Sequence, residues 1–212
     1  MLVRIGDDAP DFEIETTQGL IRLHDWMENS WCFLFSYPDD FSPVCTTEMG
    51  QTSLRIENFR RHNTKPIGLS TDTVAEHLSW FQDIERAHQT KIDFPVIADV
   101  DHVVSKLYGM IHPSKSDIST VRSVFVIDPN KKIRLTMNYP FEVGRNFDEI
   151  LRSIQALQVS DRNGVATPAD WQKGDPVAIH ESIDRTLAEK FYPQGFEELT
   201  PYLRLMHLNY ED

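Results

Sequence analysis

The stretch WCFLFSYPDDFSPVCTTE, Trp31 to Glu48, decides the fold. Its first seven residues, Trp31 to Tyr37, form an almost unbroken apolar and aromatic run. Such a run is too short for a buried helix and reads as a strand covered on both faces. Pro38, Asp39 and Asp40 then make a polar turn. Ser42-Pro43 is a helix start, with Ser42 as the cap and Pro43 supplying the preset φ of the first helical position. The helix is predicted to run to about His62, with Met49, Ile56 and Phe59 on one face. Cys45 therefore falls in its first turn.

Working outward, Lys65 to Thr71 reads as a second strand. Thr73 and Glu76 form a capping box for a helix whose Val74, Leu78, Phe81 and Ile84 fall on one stripe. A right-handed crossover makes the two strands parallel neighbours. Phe94 to Ala98 is a shorter strand and Asp101 to Tyr108 a short helix. Ser123 to Asp128 and Ile133 to Tyr139 flank Pro129 to Lys132 and predict an antiparallel hairpin. Asn146 then caps a helix carrying Phe147, Ile150, Leu151, Ile154 and Leu157. Beyond about Val159 the chain turns rich in Asp, Asn, Gly and Pro, with short apolar clusters. This order predicts an α/β, thioredoxin-like domain over residues 1–159, a central mixed sheet flanked by helices. A small α+β arm over 160–212 follows, and its clusters Tyr202-Leu203 and Leu205-Met206 need a partner to cover them, so a homodimer or larger homo-oligomer is expected.

The 212 residues are 40% hydrophobic and 10% aromatic, which is the composition of a folded globular chain. A formal charge of −12 repels phosphate backbones and anionic membranes, and no basic patch offsets it, so nucleic-acid binding is set aside. The opening residues MLVRIGDDAPDF lack the apolar core of a secretory signal, and no apolar run is long enough to span a bilayer. The expected location is the cytoplasm, where thiols stay reduced. The spacing of Cys32 and Cys45 matches neither a redox C-x-x-C pair nor a common zinc pattern. The eight histidines form no local ligand cluster, so no metal site is expected.

At a helix start, unpaired N–H groups and the positive end of the helix dipole favour an anion. A cysteine there can be acidified from about 8.5 to roughly 3.5–7.5, and its thiolate is the nucleophile. The competing reading of Cys45 is a buried structural thiol. For Cys32, inside the apolar strand, the structural reading is favoured because no charge is nearby to hold a thiolate. Arg122 could be an ordinary surface ion-pair residue, but its place at the start of an apolar strand argues otherwise.

The stretch Pro38 to Glu48 resembles the peroxiredoxin motif Pro-x-x-x-Thr/Ser-x-x-Cys. The resemblance spans nearly the whole chain, through Ala9 to Phe12, Thr120-Val121-Arg122, Asp128-Pro129, Gly144 to Arg152, Ala166-Thr167-Pro168 and Trp171. Together these are similar to the one-cysteine subfamily with a long C-terminal arm. The resemblance implies that Cys45 is the peroxidatic cysteine, Ser42 the hydroxyl that binds the peroxide, Pro38 the ring shielding the thiolate, and Arg122 the arginine beside the sulfur. Glu48 and Arg145 resemble outer partners that hold Arg122. The implied activity is reduction of hydrogen peroxide and organic hydroperoxides, with Cys45 oxidised to a sulfenic acid. No cofactor is implied. With Cys32 set aside there is no resolving cysteine, so an external thiol or other small reductant completes the cycle.

Two departures stand out. Tyr37 precedes Pro38 where close relatives often have His, which removes a group that would titrate near neutrality. The phospholipase site described for some members is also incomplete. His24 and Ser30 match, but no glycine flanks Ser30 and Asn130 stands at the acidic position, so no lipase activity is expected. Two other functions compete with the peroxidase: a holdase chaperone or redox-sensing interaction protein of this fold with a vestigial cysteine, and a disulfide exchanger using Cys32 with Cys45.

Overall fold

The computed structural model describes residues 3–116 and 118–208. Its elements are β1 (Glu13–Thr16), β2 (Gly19–Arg22), α1 (Leu23–Met27), β3 (Trp31–Ser36), α2 (Pro43–Leu54), α3 (Ile56–Arg61), β4 (Thr64–Ser70), α4 (Val74–His88), β5 (Val96–Ala98), α5 (Val103–Leu107), β6 (Arg122–Ile127) and β7 (Ile133–Tyr139). Then follow α6 (Phe147–Asn163), β8 (Val165–Ala166), β9 (Val177–Ile179), α7 (Arg185–Phe191), β10 (Glu197–Thr200) and β11 (Leu203–Met206).

The chain divides into two compact units, Met1–Phe147 and Asp148–Asp212. In the first, a mixed sheet runs β2-β1-β5-β4-β3-β6-β7. The all-buried strand β3 lies between parallel β4 and antiparallel β6, as its continuous apolar run requires. The hairpin β1–β2 and helix α1 were not anticipated from the sequence. Their strands are four residues each and only Thr16 is buried among them, so the alternation signal is faint.

Side chains alternate across a strand, and β3 sorts its residues accordingly. Cys32 and Leu34 join Leu23, Ile67, Ile97 and Phe125 in the core on one face. Phe33 and Phe35 point to the other face, where Phe33 stacks on Phe59 of α3 with ring centroids 5.2 Å apart. Helices α2 and α3 therefore cover the face opposite Cys32.

Two helices differ from expectation. The single helix expected from Pro43 to about His62 breaks at Arg55, which takes φ −102 and ψ 9 and closes a tight turn onto the Thr52 carbonyl at 3.2 Å. Hydroxyl back-bonding of the kind made by Thr52 to the Glu48 carbonyl, 2.9 Å, bends helices. Helix α4 has the expected capping box, but its buried residues are His77, Trp80 and Ile84, while Leu78 is 48% exposed. The helix is turned from the stripe read in the sequence because His77 has a buried polar partner, Asp40, which hydropathy does not register.

The second unit carries the sheet β10-β11-β9-β8. Ala156 and Val159 of α6 pack with Val165, Trp171 and Val177, and Arg152 donates to the Trp171 carbonyl at 3.3 Å. The helix that was expected to close the first domain at residue 159 is grouped with this unit for that reason.

Gly50 of α2 sits where α2 and α4 meet, and a Cβ added there would collide with the ring of His88. Gly50→Ala should lower stability by about 1–3 kcal/mol, the usual cost of overpacking. Thermal unfolding should show this loss, and adding His88→Ala should recover part of it. Equal melting of Gly50→Ala and wild type would mean that the helices separate freely.

Candidate active site

The register of β3 on β6 brings the first charged group to the site. Phe35 faces Val124 and the strands are antiparallel, so Arg122, two residues earlier, lies beside the chain where it leaves β3. Residues directly opposite share a face, which puts Arg122 on the side of Phe35 and helix α2. Its Nε and Nη2 donate to the Phe141 carbonyl at 3.1 and 2.8 Å. These bonds aim Nη1 at Sγ of Cys45, 3.2 Å away.

Cys45 is the third residue of α2, within the turn whose N–H groups lack intrahelical partners. Ser42 holds the N-cap position with φ −90 and ψ 146, but its hydroxyl makes no capping bond. That oxygen is buried and has no hydrogen-bond partner among the described residues. The expected side-chain cap is thus absent, and the hydroxyl is left free for another acceptor or donor. Cys45 itself is 0% exposed, while Phe41, Pro43 and Thr47 around it are exposed.

Three residues on from Cys45, and so on the same helix face, Glu48 accepts from Arg122 Nη1 at 2.7 Å. Arg145 binds the same carboxylate through Nε at 3.0 Å, Nη2 at 2.5 Å and its backbone N–H at 2.9 Å. Its Nη1 donates to the carbonyls of Ser36 and Ser123 at 2.8 and 3.2 Å. Its guanidinium lies over the Phe35 ring at 4.9 Å. Glu48, Arg122 and Arg145 are all buried. Guanidinium groups stay charged in proteins, so this hydrogen-bonded set holds two cations against one carboxylate. One positive charge is left over, and it faces the sulfur. An anion placed on Sγ would meet that charge directly.

Tyr37 and Pro38 are buried at the head of the loop. Tyr37 does not join the arginine network. Its hydroxyl donates to Asp40 at 3.0 Å, and burial pushes the phenol well above its ordinary value, so it remains a neutral donor. Asp40 also contacts Nδ1 of His77 at 2.7 Å. Sequence reasoning did not single out Asp40, His77 or Trp80. The spacing of His77 and Trp80, three residues apart after a capping box, was the available signal.

The structure brings together Cys45, Arg122, Glu48 and Arg145, with the Ser42 hydroxyl at the same helix mouth. It keeps Cys32 apart: both cysteines are free, and the Cys32 side chain lies in the core on the other face of the sheet. Desolvation pushes the Cys32 thiol strongly upward, against its use as a nucleophile. Ser30 is buried and donates to the Met27 carbonyl at 2.5 Å, while Nε2 of His24 meets the Ala9 carbonyl at 2.9 Å. Among the described residues no group of three or more His, Cys, Asp or Glu is placed to hold a metal, and no helix is long and apolar enough to cross a membrane.

Comparison with known proteins gives a consistent result. Residues 5–136 match the AhpC/TSA family, and residues 156–195 match the C-terminal domain of 1-Cys peroxiredoxin. The chain is 43% identical to the 1-Cys peroxiredoxin of Dictyostelium discoideum over 203 residues, covering 96% of this chain and 84% of that protein. It is 45% identical to the mitochondrial peroxiredoxin PRX1 of Saccharomyces cerevisiae over 209 residues, covering 95% of this chain and 80% of the relative. It superposes on a structure of the yeast mitochondrial 1-Cys peroxiredoxin with a TM-score of 0.93 at 43% identity, covering 98% and 100% of the two chains. The thiol of that yeast protein is resolved through glutathione and thioredoxin systems.

Removing the shared carboxylate should be felt in stability as well as chemistry. Glu48→Gln leaves two buried guanidiniums without the carboxylate they share, so the free energy of unfolding should fall by about 3–5 kcal/mol. Denaturant unfolding reads this as a lower midpoint. A midpoint unchanged from wild type would show that the network is better solvated than its burial implies.

Proposed function

The chain belongs to the peroxiredoxin family, in its one-cysteine branch, and is a thiol peroxidase; from that premise we propose that Cys45 is its peroxidatic residue, with Ser42, Arg122 and Pro38 completing the catalytic set. The observation that carries this reading is the 3.2 Å contact between Arg122 Nη1 and Cys45 Sγ at the start of a helix. Glu48 and Arg145 hold Arg122 in place, and Tyr37 acts at one remove by fixing the loop through Asp40.

The chemistry follows from these roles. The Cys45 thiolate attacks the outer oxygen of a hydroperoxide, an S–O bond forms and the O–O bond breaks. Both electrons of the broken bond leave with the inner oxygen, which takes a proton to become an alcohol or water. Cys45 is left as a sulfenic acid. A fixed guanidinium stabilises charge as it develops on the departing oxygen, a role in which preorganised donors are most effective. The unpaired hydroxyl of Ser42 and the free N–H groups of the helix start orient the peroxide in line with the sulfur. Pro38, buried at the head of the loop, keeps water from the anion.

An external thiol then attacks the sulfenic sulfur. Water leaves, a mixed disulfide forms, and a second thiolate restores the Cys45 thiolate while carrying away the disulfide. Glutathione and thioredoxin, which serve the yeast relative, are the reductants we assign here. No second cysteine of the chain takes part, because Cys32 is sealed in the opposite core. Two unpaired thiols suit a reducing compartment, and we place the protein in the cytosol.

We also read residues from about 160 onward as a dimerisation arm. Leu187, Phe191, Leu199 and Tyr202 of this unit are exposed, Tyr202 by 73%, and apolar exposure on this scale supports coverage by a second copy.

Purified protein should consume about one equivalent of hydrogen peroxide per chain in a single turnover, with sulfenic acid as product. Cys45→Ser should abolish this and Cys32→Ser should leave it. Arg122→Met should slow the oxidation about 10²–10³-fold, the usual cost of losing one preorganised donor. Peroxide consumption that survives Cys45→Ser would overturn the assignment.

A further inference from the structure

We propose that His77 and Trp80 form a clamp on helix α4 that positions the segment Asp40–Thr46, and with it the Cys45 sulfur, for attack on peroxide. The proposal rests on the peroxidase reading above. His77 and Trp80 are three residues apart and so emerge side by side from one helix face; both are buried.

Each grips one end of the segment. Nδ1 of His77 lies 2.7 Å from Oδ2 of Asp40, two residues before Ser42. Its Nε2 lies 3.2 Å from the Ile97 carbonyl. A carbonyl can only accept, so Nε2 carries a hydrogen, and the imidazole is fixed from both sides. Trp80 donates from Nε1 to the Thr46 hydroxyl at 3.1 Å, one residue beyond Cys45, and Thr46 passes its own hydrogen to the Ser42 carbonyl at 2.8 Å. The two grips enclose Ser42 and Cys45.

Between them the backbone is held in a form it would not choose. Phe41 has φ 55, a left-handed conformation that a bulky side chain adopts only when its surroundings dictate it. Its ring tilts against Trp80 with centroids 6.3 Å apart, and Tyr37 packs on the same indole at 5.5 Å. Asp40 is held further by its N–H, which donates to Asp72 at 3.0 Å, and by the hydroxyl of Tyr37. Burial, with Asp72 adding to it, keeps Asp40 above the ordinary carboxylate value despite the opposing pull of His77. The network is thus sensitive to the loss of a partner. Neither His77 nor Trp80 touches the sulfur or Arg122 in any hydrogen bond among the described residues, so both are positioning residues. In-line attack tolerates little displacement, and an error of about 1 Å can cost 10²-fold in rate.

The experiment uses a Cys32→Ser parent, so that Cys45 is the sole thiol, and adds His77→Leu, His77→Asn or Trp80→Phe. Leu removes both ring nitrogens, Asn keeps a polar group able to reach Asp40, and Phe removes one N–H while keeping an aromatic ring. Two rate constants are measured well below each variant's melting temperature: oxidation of Cys45 by hydrogen peroxide, and its alkylation by a maleimide. Losing the clamp should slow the first and speed the second, because the fully covered sulfur becomes both misaligned and accessible. The ratio of peroxide to maleimide rates should fall at least about tenfold in His77→Leu, less in Trp80→Phe, and largely recover in His77→Asn. A purely structural role would lower melting temperatures without moving this ratio, and that result in folded His77→Leu or Trp80→Phe would overturn the clamp. If His77→Leu does not fold, Trp80→Phe decides. A parent that reduces no peroxide overturns the peroxidase reading, and the clamp with it.

Discussion

One carboxylate organises the corner of this protein around Cys45. Glu48 is shared by Arg122 and Arg145 in a buried set, and the desolvation of three charges is tolerable only because each donor has an acceptor. Arg145 spends its remaining donor on the carbonyls of Ser36 and Ser123, at the end of β3 and the start of β6. Arg122 spends its own on the carbonyl of Phe141. The network therefore ties a helix, two strands and the loop after β7 to a single anionic point. What is left over is one positive charge aimed at one sulfur.

That surplus charge has directional value because the sheet beneath it is rigid and sorted by parity. Strand β3 is buried along its whole length, so its register with β4 and β6 cannot slip by one residue without turning every side chain to the wrong core. The same parity separates the two cysteines. Cys32 faces the hydrocarbon core, where burial suppresses its ionisation. Cys45 begins a helix on the opposite face, where a guanidinium meets it. Two identical side chains, thirteen positions apart in the sequence, are given different surroundings by which side of the sheet they occupy.

The loop joining β3 to α2 is the part with most freedom and most constraint. It holds a phenylalanine in a left-handed conformation, a buried aspartate bonded to tyrosine, histidine and, through its backbone, a second aspartate, and a serine hydroxyl with no partner. A buried hydroxyl without a partner inside an otherwise satisfied network calls for an explanation, and a small polar ligand supplies one.

The sequence alone determined the strand at Trp31, the helix starting at Pro43, the parallel crossover into β4 and the hairpin of β6 and β7, because hydropathy period, proline and capping residues act over a few neighbouring positions. It also singled out Cys45, Ser42, Pro38 and Arg122 through their motif and their resemblance to a family. It could not determine the face that α4 buries, the break at Arg55, the grouping of α6 with the second unit, or the part played by Asp40, His77 and Trp80. The face of α4 and the part played by those three residues depend on hydrogen bonds between residues more than thirty positions apart, such as Asp40 with His77 and Thr46 with Trp80, while the grouping of α6 rests on its packing with Val165, Trp171 and Val177, and the break at Arg55 on a tight turn that hydropathy does not register. Only the folded chain brings such groups within bonding distance, since long-range polar partners leave no periodic trace in the order of residues.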